Sequence, residues 1–248
     1  MFTTANHSYL YLSVGLYTLA LFLYLLKIKT GFLAFQAGFI IYTLYIIGRG
    51  WLGGCFIPNP IFEGPFLLPW CIVLIALIMK VKDKNDQWIV TIIPILFFSI
   101  FAIFYEKGMI PPTPKKISLW TLGFFFSESM AHALFYCGAS YAVSTLIKNS
   151  NSNNYHYFIV CGFIIFSVSQ IVGAIWCYVG WGNTFRWGMR HMITSGIWLL
   201  YAAYLHLRFL PKWDMYRRAW YTIIAAAIVL LLTLPFYLHE MTFPRIGG

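Results

Sequence analysis

Eight apolar runs, at residues 9–26, 32–50, 65–80, 88–105, 119–147, 157–178, 191–210 and 219–238, constrain this chain more tightly than any other feature. Crossing roughly 30 Å of hydrocarbon takes about 20 residues of helix, and runs of this length fit that span. A segment in lipid has no water to bond its peptide groups, so it closes its own hydrogen bonds as a helix. Only 10% of the residues are charged and 60% are hydrophobic, whereas soluble domains carry about 25% charged residues. No internal repeat is visible and no linker is long enough to part the runs. The expectation is an all-α integral membrane protein: one polytopic domain over residues 1–248, folded as a single bundle of about eight transmembrane helices. The residues before Tyr9 lack a basic n-region, so the first run is expected to remain as a span.

A net charge of +10 raises the question of nucleic acid, but the cations lie in short loops between spans. That distribution sets membrane topology and meets lipid headgroups, so the bilayer is the expected partner and nucleic acid is not. With the N-terminus outside, the inner loops hold ten cations: Lys27, Lys29, Lys80, Lys82, Lys84, Lys148, Arg208, Lys212, Arg217 and Arg218. The outer loops hold seven: Arg49, Lys107, Lys115, Lys116, Arg186, Arg190 and Arg245. The inward excess orients a multi-pass protein of the cell (inner or plasma) membrane in this sense. The five cysteines, Cys55, Cys71, Cys137, Cys161 and Cys177, form no CxxC pair and read as small buried hydrophobes. Paired carboxylates, a Ser-His-Asp set and a Gly-rich phosphate loop are all missing, so hydrolase and kinase chemistry finds no support.

Between the sixth and seventh runs lies the densest aromatic and basic cluster: Trp176, Trp181, Phe185, Arg186, Trp187, Arg190 and His191. In the adopted orientation it is an external loop. Two readings stand side by side here. Trp and Tyr gather at headgroup depth in most membrane proteins. Equally, aromatic faces, guanidinium groups and an imidazole at a membrane surface suit a flat, anionic, metal-centred ligand such as haem. The histidines bear on the choice, because an ionisable residue within a span is costly and neutral imidazole is the usual ligand of haem iron. His132, His191 and His239 are expected at the depth of the loop, although any one of them alone is explained as a helix cap. Arg186 and Arg190 present planar guanidinium groups suited to haem carboxylates or to lipid phosphate. Glu128, one helical turn before His132, is placed to orient that imidazole. His206 follows His191 by fifteen residues on one helix, roughly 22 Å away at about 1.5 Å per residue, so the two cannot serve one iron.

Further stretches fall in order along the chain. Trp181-Gly-Asn-Thr-Phe-Arg-Trp-Gly-Met-Arg-His191 is preceded by a GxxW step from Gly173 to Trp176 and followed by LHLR at Leu205–Arg208. Trp213-Asp-Met-Tyr-Arg-Arg-Ala-Trp220 precedes a last span that closes on Leu238-His239. Upstream stand Ala131-His-Ala-Leu-Phe-Tyr-Cys-Gly-Ala-Ser-Tyr-Ala142 and a block with Gly38, Tyr42, Arg49, Pro58, Phe62, Glu63 and Trp70. Together these resemble the cytochrome c assembly proteins of the CcsA/ResC/CcmC kind, haem-handling membrane proteins with a tryptophan-rich WWD loop. The similarity covers most of the chain.

The resemblance implies that His132 and His239 are external axial ligands to the iron of a non-covalent haem b. The loop, with Trp176, Trp181, Phe185, Trp187, Arg186, Arg190 and His191, would hold the macrocycle, and His206 would be the histidine within the membrane. Residues of about 119–248 would form the haem-handling core. The implied role is haem delivery in a cytochrome c biogenesis system of the holocytochrome c synthase type. Haem is presented at the outer face to a CxxCH motif of apocytochrome c, beside a CcsB/ResB-like membrane partner. As an enzyme the chain would be a subunit of a cytochrome c haem-lyase, with no catalytic residue assigned. The family motif reads approximately WGxYWxWDPKE, and here its tyrosine, second tryptophan and aspartate are Thr184, Phe185 and Gly188, while its tail is Met189-Arg190-His191. Tyr42 stands where many members carry a membrane histidine. These departures keep open a non-catalytic haem b-binding or scaffold subunit of a larger respiratory or quinone-linked membrane complex, and an assembly subunit without haem.

Overall fold

The computed structural model describes residues 2–28, 30–52, 60–82, 87–105, 118–148 and 154–240. Among them the chain is helical, with no strand: α1 (Phe2–Leu25), α2 (Gly31–Leu52), α3 (Pro60–Lys82), α4 (Ile92–Phe104), α5 (Leu119–Lys148), α6 (Asn154–Trp181), α7 (Met189–Leu207) and α8 (Met215–Glu240). Each apolar run became one helix. Helices α1, α2, α5, α6 and α8 are long and apolar enough to cross a membrane, and α3 and α4 carry shorter apolar stretches. The protein is a multi-pass, all-α membrane protein. Helix α4 is shorter than its run because Gln87–Thr91 winds as a 3-10 turn first. Pro94, in the first turn of α4, has no N–H to return across that junction.

The chain divides into two compact units, the second running from Ser118 to Glu240. In the first unit, the described parts of α1–α4 pack around a buried aromatic cluster of Tyr17, Phe35, Tyr42, Tyr45, Phe66 and Tyr105. Pro65 and Pro69 interrupt α3, and the Tyr42 hydroxyl donates to the Phe66 carbonyl at 2.8 Å. A hydroxyl from a neighbouring helix is what satisfies backbone near such a break in lipid. Arg49, counted above among the loop charges, is instead 2% exposed in the last turn of α2. Its guanidinium lies 4.3 Å from the Phe66 ring centroid and donates to the Tyr45 hydroxyl at 3.3 Å.

The second unit packs α6 and α8 against α5, with α7 lying between α6 and α8 in the chain and touching both. Glycines permit the close approach of α5 to α6. A Cβ on Gly162 would meet the Phe135 ring at 2.7 Å, and one on Gly173 would meet Phe124 at 2.8 Å. Phe135 is then sandwiched onto Tyr201 of α7, with ring centroids 3.5 Å apart and planes 11° from parallel. Small residues at such crossings let backbones approach where the hydrophobic effect between helices is absent. At the α7–α8 end, His156 of α6 joins Tyr204 and Arg208. Its Nδ1 lies 3.1 Å from the Tyr204 hydroxyl, and Arg208 donates to its Nε2 at 2.9 Å. The Tyr155 hydroxyl adds a bond to the Met215 carbonyl at 2.8 Å, tying the start of α8 to α6.

The glycine contacts give a direct test of this packing. Gly162→Val should destabilise the protein by about 1–3 kcal/mol through overpacking against Phe135. Gly180→Ala, where a Cβ meets nothing within 4 Å, should leave the melting temperature of the detergent-solubilised protein unchanged or raise it. Equal melting of the two variants would contradict the assigned α5–α6 contact.

Candidate functional site

At the end of the second unit where α6 gives way to α7, the backbone turns on glycine. Gly182 adopts φ +72°, a left-handed conformation that only glycine takes without steric penalty. Its N–H donates to the Tyr178 carbonyl at 2.8 Å and so closes α6. Gly188 caps the start of α7 in extended conformation without a side-chain hydrogen bond. An aspartate there would accept from the first-turn amides.

The aromatic residues of the loop form two small stacks. Trp176 packs on Phe124, Phe125 and Trp181, with centroid separations of 5.9, 5.6 and 5.3 Å. The Arg186 guanidinium lies 5.2 Å from the Trp181 ring, within cation–π range. Phe185 meets Trp187 edge-on at 5.2 Å and His191 at 5.4 Å. Trp187 itself is 85% exposed, as befits an interfacial anchor.

Behind this loop lies a cavity of about 430 Å³, walled by Trp176, Cys177, Phe185, Arg190, His191 and Trp198 among others. Its size falls in the range of small-molecule sites, about 300–1,000 Å³. His191 Nε2 lies 3.4 Å from the Cys177 thiol. The Trp198 indole N–H donates to Ser167 Oγ at 2.9 Å, linking α7 to α6 beside the cavity. A second, smaller space of about 40 Å³ opens beside His132, bounded by Glu128, Arg190, Thr194, Thr233 and Phe236. His132 is buried and its Nε2 has no hydrogen-bond partner. Between the two spaces, Arg190 Nη2 donates to Glu128 Oε2 at 3.2 Å and its guanidinium lies 4.8 Å from the Phe125 ring.

The residues singled out from sequence are therefore distributed. Trp176, Phe185, Arg190 and His191 share the larger cavity, and Trp181 and Arg186 stack beside it. His132 belongs to the smaller one, which Arg190 also lines. His239 is exposed in the last turn of α8 and lines neither cavity. His206 is exposed at the far end of α7, where Nδ1 lies 2.8 Å from the Ala202 carbonyl. A carbonyl oxygen only accepts, so Nδ1 carries the proton of that bond. Glu128 pairs with Arg190 and lines the same small space as His132.

Sequence reading passed over Gln170, Cys177, Thr194 and Trp198 as cavity residues and His156 as a buried polar centre. Gln170 carried a usable signal, being an amide inside an otherwise apolar span. Cys177 and His191 are fourteen residues apart on successive helices, and no local pattern announces that pair. Cys71, Cys137 and Cys177 are buried as expected, whereas Cys161 is exposed; Cys55 and Pro58 lie outside the described residues.

The helices and the cavity lined by aromatic rings, a guanidinium group and imidazole belong to a multi-pass, all-α membrane protein. Residues 60–241 match the family described as cytochrome C assembly protein, and the chain belongs to that family. Its relatives include the cytochrome c biogenesis protein CcsA of Prochlorococcus marinus strain MIT 9515, 25% identical over 232 residues that cover 76% of this chain and 74% of that protein. CcsA of Welwitschia mirabilis is 24% identical over 224 residues, 71% of this chain and 73% of the relative. CcsA of Oryza sativa is 20% identical over 252 residues, 78% of each. The protein accordingly has a role in cytochrome c maturation.

The Glu128–Arg190 pair is asymmetric, since the Glu128 side chain is 10% exposed and that of Arg190 42%. Glu128→Gln leaves a cation that reaches solvent and should change stability little. Arg190→Met strands a buried carboxylate and should cost about 1–3 kcal/mol. Adding Glu128→Gln to Arg190→Met should restore most of that loss in a thermal-melt double-mutant cycle, and an additive result would break the pairing.

Proposed function

We propose that the protein binds haem b non-covalently at the α6–α7 loop and delivers it for cytochrome c assembly. The observation that carries this reading is the buried, unpartnered Nε2 of His132 beside Arg190. A buried imidazole nitrogen without a hydrogen-bond partner is energetically costly, and a neutral imidazole nitrogen is a usual ligand of haem iron. The rings, imidazole and guanidinium that line the larger cavity suit the group. His132 and His239, the latter exposed at the close of α8, would offer imidazole nitrogen to its iron, as the resemblance implies. The wall of Trp176, Phe185 and His191 meets the flat macrocycle, with Trp181 and Trp187 beside it. Arg186 and Arg190 take its carboxylates. His206, with Nδ1 bonded to the helix backbone, is the histidine available for ligation at the opposite end of α7.

The N-terminus and the Trp-rich loop face outward from the cell membrane, in keeping with the inward excess of Lys and Arg. There the protein presents haem to the CxxCH segment of apocytochrome c, beside a CcsB/ResB-like membrane partner. Each thioether forms by adding a cysteine S–H across a haem vinyl group: sulfur bonds one carbon, the other carbon receives the proton, and nothing leaves. Holding the two reactants together is this chain's contribution, worth an effective-molarity gain rather than acid–base chemistry.

Purified protein should show the Soret band of imidazole-ligated haem, and His132→Ala and His239→Ala should each alter it. Deleting the gene should abolish covalent cytochrome c, with rescue by the wild-type chain and not by His132→Ala. Normal cytochrome c in the deletion strain would overturn the delivery role.

A further inference from the structure

Arg190 and Thr194 line both cavities. The Arg190 side chain is therefore part of the wall between the space beside His191 and the space beside His132. Its guanidinium is held there from two sides, by Glu128 Oε2 at 3.2 Å and by the Phe125 ring at 4.8 Å. Glu128 is buried at 8% exposure, so its carboxylate depends on a cation. On the far side, His132 lines a space of only about 40 Å³, and its buried Nε2 has no hydrogen-bond partner. A ligand lodged in the 430 Å³ cavity is thus separated from that nitrogen by an ion pair. Of the two partners only Glu128 is buried, so it is the carboxylate that keeps a desolvation penalty when the pair is parted with nothing in its place.

We propose that the Glu128–Arg190 ion pair is a latch between the two cavities that opens by exchange, when an incoming ligand offers Arg190 a carboxylate of its own. The inference rests on the haem reading above and adds a specificity rule to it. Glu128 becomes the residue that makes ligand carboxylates a condition of reaching His132. A planar tetrapyrrole carrying carboxylates trades one carboxylate for another on Arg190. A tetrapyrrole without them has to part the pair with nothing to put in its place. The freed Glu128 stays on the α5 face one turn before His132, at the i,i+4 spacing where an imidazole N–H is within reach.

The test uses the full chain in detergent and two probes, haemin and its dimethyl ester, which differ only in whether the carboxylates are free. The readout is the rate at which the His132-dependent Soret band appears after mixing. In the wild-type chain, haemin should form the band on the order of tenfold faster than the ester, the factor matching about 1.4 kcal/mol. In Glu128→Gln the latch is gone, so the ester should rise to within about twofold of haemin, a difference under ~0.5 kcal/mol. A tenfold preference that persists in Glu128→Gln would assign the selectivity to direct carboxylate contacts or charge steering and overturn the latch. Equal rates in the wild-type chain would overturn it as well. A wild-type chain that forms no His132-dependent band with haemin sinks the haem reading itself, a result distinct from either of the others. Because the two probes are compared within one folded protein, a stability change in the variant does not mimic the expected pattern.

Discussion

Water is missing from the hydrocarbon of a bilayer, and nearly every feature of this protein answers to that. Backbone amides and carbonyls that cannot reach solvent close on themselves as helices, which is why each apolar run yields one helix. The same constraint then acts on side chains. The Tyr42 hydroxyl turns to the Phe66 carbonyl beside two prolines, the Trp198 indole finds Ser167, and the His206 Nδ1 finds the Ala202 carbonyl. Arg49 lies against Phe66 rather than in a loop. Where a polar atom is left over, as at His132 Nε2, its desolvation cost stays uncompensated.

The second unit shows how packing converts that constraint into a site. Gly162 and Gly173 bring α5 against α6, with Phe135 and Phe124 filling the spaces their missing side chains leave. Phe124 and Phe125 then support Trp176 from α5, so the loop tryptophan stands on a fixed surface. Gly182 and Gly188 end one helix and begin the next, leaving a short loop that holds Phe185 over His191. The cavity is therefore a consequence of helix ends and ring packing on rigid elements, the arrangement that keeps a binding geometry reproducible.

Much of this was legible beforehand because it depends on composition and local pattern. The helix count followed from apolar run length, and the aromatic loop from the density of Trp, Phe and Arg between two spans. What escaped reading involved contacts between helices distant in sequence. Arg49 looked like a loop cation because it stands at the end of a run, yet the ring of Phe66 from α3 covers it. Glu128 pointed toward His132 by its helical spacing, but its hydrogen bond to Arg190, sixty-two residues away, left no trace in the sequence. His156 stood in a polar stretch before a span and turned out to be enclosed by Tyr204 of α7 and by Arg208 just past its end.

The sequence by itself determined the class of fold, the placement of the spans and the gathering of aromatic, guanidinium and imidazole groups in one loop. Each of these depends on free energies summed along neighbouring residues: burial of apolar side chains in lipid, closure of local backbone hydrogen bonds, and the headgroup affinity of tryptophan and arginine. Tertiary structure alone decided which histidine met the large cavity, which was buried with a free nitrogen, and which carboxylate faced Arg190. Those outcomes depend on how four helices pack side by side, where a shift of one ring changes which polar groups can meet, and no local pattern encodes that competition.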